Sequence, residues 1–373
     1  MPEGPAAART IPTPFDHEQI RIRRGPRSGL TVIVAVHSTF LGQAIGGCRL
    51  ARYPHWTNAV TDALRLSAAM THKCAVAGLP NGGGKAVVAL PPEVTLDHAA
   101  RRAIMHDVAD MIAALDGAYA TGPDVGTNPA DMATIAERTR HVFCRPPEVG
   151  GSGDSSGHTA AGVVAALHAV CNAVFGSPQL AGRRFAILGL GRVGAHLARH
   201  LTAAGAELIV TDTDTTKRQL ADELGATWQD PDCALQADVD VLVPAALGGV
   251  FTPDTVPLLR CAAIAGPANN QLDEPATADL LHERGIVWAP DYVISAGGVI
   301  HATAVELHNE TSEQATARVL GIGDTLERIL DDAKKASVTP AAAALELARQ
   351  RIQRPHAPRL DQVLLHKPGR TTR

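Results

Sequence analysis

The chain of 373 residues is poor in aromatic side chains, 3% in all, and carries no excess of positive charge, since 34 Lys and Arg stand against 38 Asp and Glu for a net charge of −4. Without a strong positive field there is nothing to hold a polyphosphate backbone, and nucleic acid is not expected as a partner. The six cysteines, Cys48, Cys74, Cys144, Cys171, Cys233 and Cys261, include no C-x-x-C pair. That excludes a zinc knuckle and a secreted disulfide framework, and it points to a reducing cytoplasm. Residues 1–14 lack the charged segment and apolar core of a signal peptide. The most apolar stretch, 160–175, contains His168 and Asn172 and stops short of the roughly 20 residues of a membrane span, so it reads as a buried helix. Repeats and low-complexity tracts are missing too, apart from an Ala-rich helix at 340–352. What remains is an ordinary globular composition, 45% hydrophobic and 19% charged, in a chain long enough for two domains of roughly 150 residues.

Residues 29–37 are β-branched and alternating, which predicts a strand. Between 57 and 73, Ala59, Ala63, Leu66, Met70 and Lys73 fall on one face of a helix, with Thr57 or Asn58 as its cap. Lys73 thus ends an apolar stripe. Gly82, Gly83 and Gly84 read as a loop leading into a strand at 85–90. Turn-forming residues are densest at 149–156, where a domain boundary is placed; beyond it, strands at 184–188, 208–211, 239–243, 262–265 and 286–288 alternate with helices. This is the βαβ pattern of a parallel, doubly wound sheet, so the expected fold class is α/β.

Gly189, Gly191 and Gly194, with Arg192 and Val193 between them, form G-x-G-x-x-G after a strand and at the start of a helix. There the first glycine allows a tight turn, the second lets a pyrophosphate approach the backbone, and the third permits close helix–strand packing. Asp212, 18 residues after Gly194, ends the next strand, where a carboxylate can accept from both ribose hydroxyls and repel a 2′-phosphate. The second glycine cluster is not a phosphate loop, because Leu79 and Ala86 stand where that motif needs Gly and Ser or Thr. Lys73 and Lys85 flank it, and a desolvated lysine there is a possible base, although each taken singly reads first as a snorkelling surface residue. Asp124 precedes a helix capped by Asn128 with Pro129 at its first position; a structural turn aspartate remains the other reading. His196 and His200 have metal-ligand spacing but no third ligand, so no metal is expected. Arg21, Arg23, Arg24 and Arg27 read as a solvated strand and turn.

Taken together, Phe-Asp-His-Glu-Gln at 15–19, the Gly46-Gly47-Cys48-Arg49 segment within 41–49, and the segments 62–66, 70–73, 81–85, 124–127, 267–272 and 289–299 resemble the glutamate, leucine, phenylalanine and valine dehydrogenases, and within them the leucine/valine branch. The resemblance implies NAD as cofactor and reversible oxidative deamination, in which an L-amino acid, NAD+ and water give a 2-oxo acid, ammonia and NADH. It implies a substrate, catalytic and oligomerisation domain at 1–150, rejoined by a C-terminal helix within about 338–373, and a Rossmann domain at 151–337, with a cleft between them and a homo-oligomeric assembly. Carried over residue by residue, Lys73 would hold the α-carboxylate, Lys85 would activate water and Asp124 would shuttle protons. Gly46 and Gly47 would line the substrate site; Thr159, Ala245, Asn269 and Asn270 would meet the cofactor, Asn270 also the substrate.

The same resemblance puts Ile45, Met70, Gly122, Val299 and Ala302 around the substrate side chain. Ile45 and Ala302 replace the lysine and serine with which glutamate-specific members hold a γ-carboxylate, which argues against glutamate. Gly122 and Ala302 are small and would leave room for a bulky or aromatic group. Ser295, His72 and Pro123 depart from the family pattern and leave open a dedicated dehydrogenase or imine-forming reductase for an unusual or aromatic amino acid such as tryptophan. A non-catalytic NAD-binding sensor would be expected to lose Lys73, Lys85 or Asp124, and all three are present.

Overall fold

Runs of small and β-branched residues build two separate sheets, seen in a computed structural model that describes residues 16–246 and 248–353. The first sheet contains β1 (Gln19–Arg24), β2 (Thr31–Ser38), β3 (Ala44–Arg52), β4 (Gly82–Leu90) and β5 (Tyr119–Pro123), in the order β1-β2-β4-β3-β5. Strand β2 pairs antiparallel with both β1 and β4, whereas β3 pairs parallel with both β4 and β5. Every residue of β4 is buried, as expected of a central strand covered on both faces. Its three leading glycines belong to the strand rather than to a loop before it. The helix Trp56–Val76 lies so close that a Cβ on Gly83 would stand 2.1 Å from the Thr71 nitrogen, while one on Gly82 would stand 1.8 Å from the Ser38 oxygen. That helix starts earlier than expected: His55 is the cap and Asn58 is its third residue, whose Oδ1 accepts from the His55 N–H at 3.2 Å.

The second sheet contains β6 (Arg184–Leu188), β7 (Glu207–Thr211), β8 (Thr227–Trp228), β9 (Val239–Pro244), β10 (Cys261–Ile264) and β11 (Val287–Trp288), all parallel, in the order β11-β10-β9-β6-β7-β8. In chain order this is the 3-2-1-4-5-6 arrangement of a doubly wound dinucleotide fold, whose ligand crevice lies beyond the carboxyl ends of β6 and β9, where the strand order reverses. The apolar helix spans Ser156–Phe175, 20 residues, so length alone does not exclude a membrane span. Burial settles its place: Val163, Ala166, Leu167 and Val170 are fully enclosed in the core, where the helix packs against Ile322–Ala336. On the first sheet Arg27 is paired with Asp107 and Asp110, while Arg23 and Arg24 are exposed.

Two connections hold the sheets in register. The helix Pro340–Gln353 returns to pack on Trp56–Val76, where Arg351 donates to the Ala75 carbonyl at 3.0 Å and to that of Val76. At the crossover between the sheets, Glu306 at the end of the helix Gly297–Glu306 accepts from the backbone N–H of Cys144 (2.7 Å) and of Ser152 (2.7 Å), from Ser152 Oγ (2.6 Å) and from Arg145 Nε (3.0 Å). Its side chain is 1% exposed, so no water substitutes for these donors. Glu306→Gln can keep an oxygen toward Cys144 and Ser152 only by turning its amide hydrogens toward Arg145 Nε, and it removes the charge paired with that guanidinium, so it should lower stability by about 1–3 kcal/mol, read as a lower thermal midpoint. An unchanged midpoint would show that the crossover does not depend on this carboxylate.

Candidate functional site

On the nucleotide side, β6 ends at Leu188 and Gly189 turns the chain with φ +111°, a backbone region closed to most side chains. Gly191 caps the helix Arg192–Ala203, and a Cβ placed on it would meet nothing within 4 Å, so open space lies where a pyrophosphate would sit. Gly194 packs under the turn, where a Cβ would stand 1.9 Å from the Gly189 oxygen. Arg192 is exposed beside Asp154 at 3.5 Å, and Val193 is half-buried in the first helical turn. Asp212, at the end of β7, accepts from the Leu190 N–H on Oδ2 (2.6 Å) and from the Asp214 N–H on Oδ1 (2.9 Å), which leaves lone pairs on both oxygens for ribose hydroxyls. Ala245 extends β9 across the crevice by donating to the Leu188 carbonyl at 2.9 Å. Thr159 lies beneath Gly298, whose Cβ would stand 2.7 Å from its Oγ1. A dinucleotide thus fits this cradle.

Between the two sheets runs a cleft of about 410 Å³. Gly46, Gly47, Met70, Lys73, Lys85 and Asp124 line it from one side, and Asn269, Asn270, Asp291 and Val299 from the other. Lys85, on β4, places its Nζ 3.0 Å from Asp124 Oδ2 just beyond β5, with the two side chains only 6% and 22% exposed. Gly47 makes room for this approach, since a Cβ there would stand 2.6 Å from the Asp124 Cβ. Arg49, two residues on and on the same face of β3, donates Nε to Asp124 Oδ2 at 2.8 Å and NH1 to Asp62 Oδ2 at 2.8 Å. Asp62 also accepts from Tyr53 (2.7 Å) and from Arg65 (2.9 Å), whose other terminal nitrogen reaches Asn270 Oδ1 across the cleft at 3.5 Å. Lys73 donates to Ser295 Oγ at 2.9 Å, so it too touches the opposite wall.

Burial lowers the pKa of Lys85, and the Asp124 carboxylate offsets only part of that. Lys73 is lowered for the same reason, against the pull of Asp291. Burial works against the charge of Asp124, yet Lys85 and Arg49 outweigh it and hold its carboxyl below the usual range. Burial instead raises Asp291, which accepts from the Gln271 N–H at 3.0 Å. The cleft therefore presents two desolvated amines beside an ionised carboxylate, a set able to grip an anion and to move protons.

Ile45, Gly122 and Ala302 do not line the cleft: Ile45 is 0% and Ala302 1% exposed, and the space beside Gly122 holds the ring of Phe143, whose Cε2 would stand 2.4 Å from an added Cβ. The expected vacancy at Gly122 is filled from a distant part of the chain. Arg49, Asp291 and Phe143 were not picked out as site residues by the sequence reading. Arg49 had a signal, a charged residue at i+2 from Gly47 within the otherwise uncharged run 44–51, and Asp291 had one in its place after a parallel strand. Phe143 had none. Arg49 lowers the pKa of Lys85. Its removal in Arg49→Gln should therefore move the pH at which the Lys85 amine becomes reactive toward an acylating reagent upward, and an unchanged or lower pH would contradict that coupling.

Residues 16–141 match the family model described as Glu/Leu/Phe/Val dehydrogenase, dimerisation domain, and residues 212–358 match Glutamate/Leucine/Phenylalanine/Valine dehydrogenase. The chain is 42% identical to the leucine dehydrogenase of Geobacillus stearothermophilus over 91% of each chain. It is 41% identical to the valine dehydrogenase of Streptomyces coelicolor, over 90% of this chain and 92% of that one. Among solved structures, L-tryptophan dehydrogenase from Nostoc punctiforme superposes with a TM-score of 0.78 at 35% identity, covering 90% of this chain and 96% of the other. With both parts of the fold and nearly the full length matched, the chain belongs to the glutamate/leucine/phenylalanine/valine dehydrogenase family of amino-acid oxidoreductases.

Proposed function

We propose that the chain catalyses the NAD-dependent, reversible oxidative deamination of a hydrophobic L-amino acid to its 2-oxo acid and ammonia. The observation that carries this reading is the Lys85–Asp124 contact in a cleft that also holds Lys73. Lys73 binds the substrate α-carboxylate and orients Cα toward the nucleotide side. Asp124 takes a proton from the substrate ammonium. The nicotinamide, when bound, accepts the hydrogen and electron pair that leave Cα. Lys85, its amine pushed toward the neutral form by burial, removes a proton from the water that adds to the resulting iminium carbon. Lys85, having passed that proton to solvent, then takes the hydroxyl proton of the carbinolamine as Asp124 returns its proton to nitrogen and the C–N bond breaks, leaving the 2-oxo acid and ammonia, while the walls around Met70 and Val299 keep other water away.

The preference for NAD rests on Asp212, against which a 2′-phosphate would meet like charge, while Arg218 is drawn over the Trp228 ring at 5.3 Å. The cationic side chains lining the cleft, Arg49, Lys73 and Lys85, are already committed to Asp124, Ser295 or the α-carboxylate, so a glutamate γ-carboxylate has no partner. A homo-oligomer in the cytoplasm accords with the first family match and with free cysteines throughout the described residues.

Aliphatic and aromatic L-amino acids assayed with NAD and with NADP test this proposal. Turnover of hydrophobic substrates with NAD is expected, glutamate should be poor, and Lys85→Ala should lose roughly a hundredfold to ten-thousandfold in rate while retaining nucleotide binding. A better specificity constant with NADP, or near-normal turnover in Lys85→Ala, would overturn it. Because Phe143 fills the space beside Gly122, Phe143→Ala should raise kcat/KM for tryptophan relative to valine by roughly tenfold; an unchanged ratio would place side-chain selection elsewhere.

A further inference from the structure

One cluster of metal-ligating side chains among the described residues lies outside the cleft: Asp16 and His17, just before β1, and His37, near the end of β2, whose candidate ligand atoms all lie within 4.8 Å of one another. Hydrogen bonds hold both rings in place. Ser67 Oγ donates to the Leu64 carbonyl at 2.9 Å, so toward His17 it is an acceptor. The His17 Nε2 stands 2.8 Å from that hydroxyl and 3.1 Å from the same carbonyl, and two acceptors call for the proton on Nε2. The His17 Nδ1 faces Asp16 Oδ1 at 2.7 Å, a contact that a proton or a metal ion can bridge. His37 repeats the arrangement. Its Nδ1 stands 2.8 Å from Thr71 Oγ1, which itself donates to the Ser67 carbonyl at 3.5 Å, and its Nε2 lies 3.9 Å from Asp16 Oδ2.

Two imidazole nitrogens and a carboxylate thus converge, a set that a divalent cation can bridge in place of a proton. Each ring is held from behind by a hydroxyl or carbonyl of the helix Trp56–Val76, the outer-sphere support that orients metal-binding histidines. The rings meet edge to face with centroids 4.7 Å apart. Ligand atoms of a tetrahedral zinc site stand roughly 3.3 Å apart for bonds of about 2.0–2.2 Å. Asp16, 72% exposed, is free to close the remaining distance, while the His17 and His37 side chains are only 5% and 17% exposed and already in place.

We propose that Asp16, through a carboxylate oxygen, His17 Nδ1 and His37 Nε2 bind a divalent transition-metal ion of the zinc class, with water completing the coordination. The ion ties the start of β1 and the end of β2 to the helix that carries Lys73, so its role is to brace that helix rather than to take part in the reaction. The inference does not depend on the proposed activity.

The test uses the full chain, stripped with a chelator and titrated with Zn²⁺ alone and, separately, with Co²⁺. One equivalent should bind and raise the thermal midpoint, and the cobalt spectrum should show d–d bands without a thiolate charge-transfer band. Asp16→Asn and His37→Gln should each weaken binding by tenfold or more and leave amino-acid turnover unchanged. Asp16 is exposed, so its variant keeps the test decisive should His37→Gln fold poorly. Absence of binding, a thiolate band, or equal affinity in Asp16→Asn would overturn the proposal.

Discussion

The buried contact between Lys85 and Asp124 is the constraint around which the molecule is arranged. Two opposite charges out of water are tolerated only with close geometry and further hydrogen bonds, and removing either leaves the other uncompensated. Both requirements shape the first sheet. Gly47 has no side chain because the Asp124 Cβ occupies its place, and Arg49 sits two residues on because the carboxylate needs a second cation. The all-buried strand β4 desolvates Lys85 and lowers the pKa of its amine.

The second sheet does its part by standing opposite. Lys73 reaches Ser295 and Arg65 reaches Asn270, so the wall that carries Lys85 and Asp124 and the wall opposite are joined by polar contacts across the cleft. Behind them, Glu306 pins the crossover and the helix Pro340–Gln353 folds back on Trp56–Val76. These links lie away from the chemistry, yet they set the distance across which a substrate must fit. Ser295 is one of them, so the position of the Lys73 amine depends directly on a hydroxyl of the opposite wall.

Local patterns carried much of this. Periodicity placed the βαβ half, with β6 found over the expected residues, because parallel strands buried on both faces are short unbroken apolar runs. The glycine turn was legible because a left-handed turn and close helix–strand packing each demand glycine at a set spacing, as Gly189 and Gly194 show. The cap at Asn128 with Pro129 after it was equally local, and the structure adds Asp131 as its reciprocal partner. Where the reading slipped, tertiary packing had overridden local preference. Three glycines in a row look like a loop, but Gly82 to Gly84 are strand residues because a helix and a neighbouring strand press against them.

By itself, then, the sequence determined the α/β class, the doubly wound nucleotide half and the identity of the groups able to bind an anion and move a proton, since each follows from residue type at short range. Tertiary structure decided which of those groups meet. Arg49 joins Asp124 across 75 positions, Lys73 joins Ser295 across 222, and Arg65 faces Asn270 across 205. It also decided the shape of the cleft, because the ring that takes the space beside Gly122 comes from Phe143, and no local pattern reports what a distant side chain will fill.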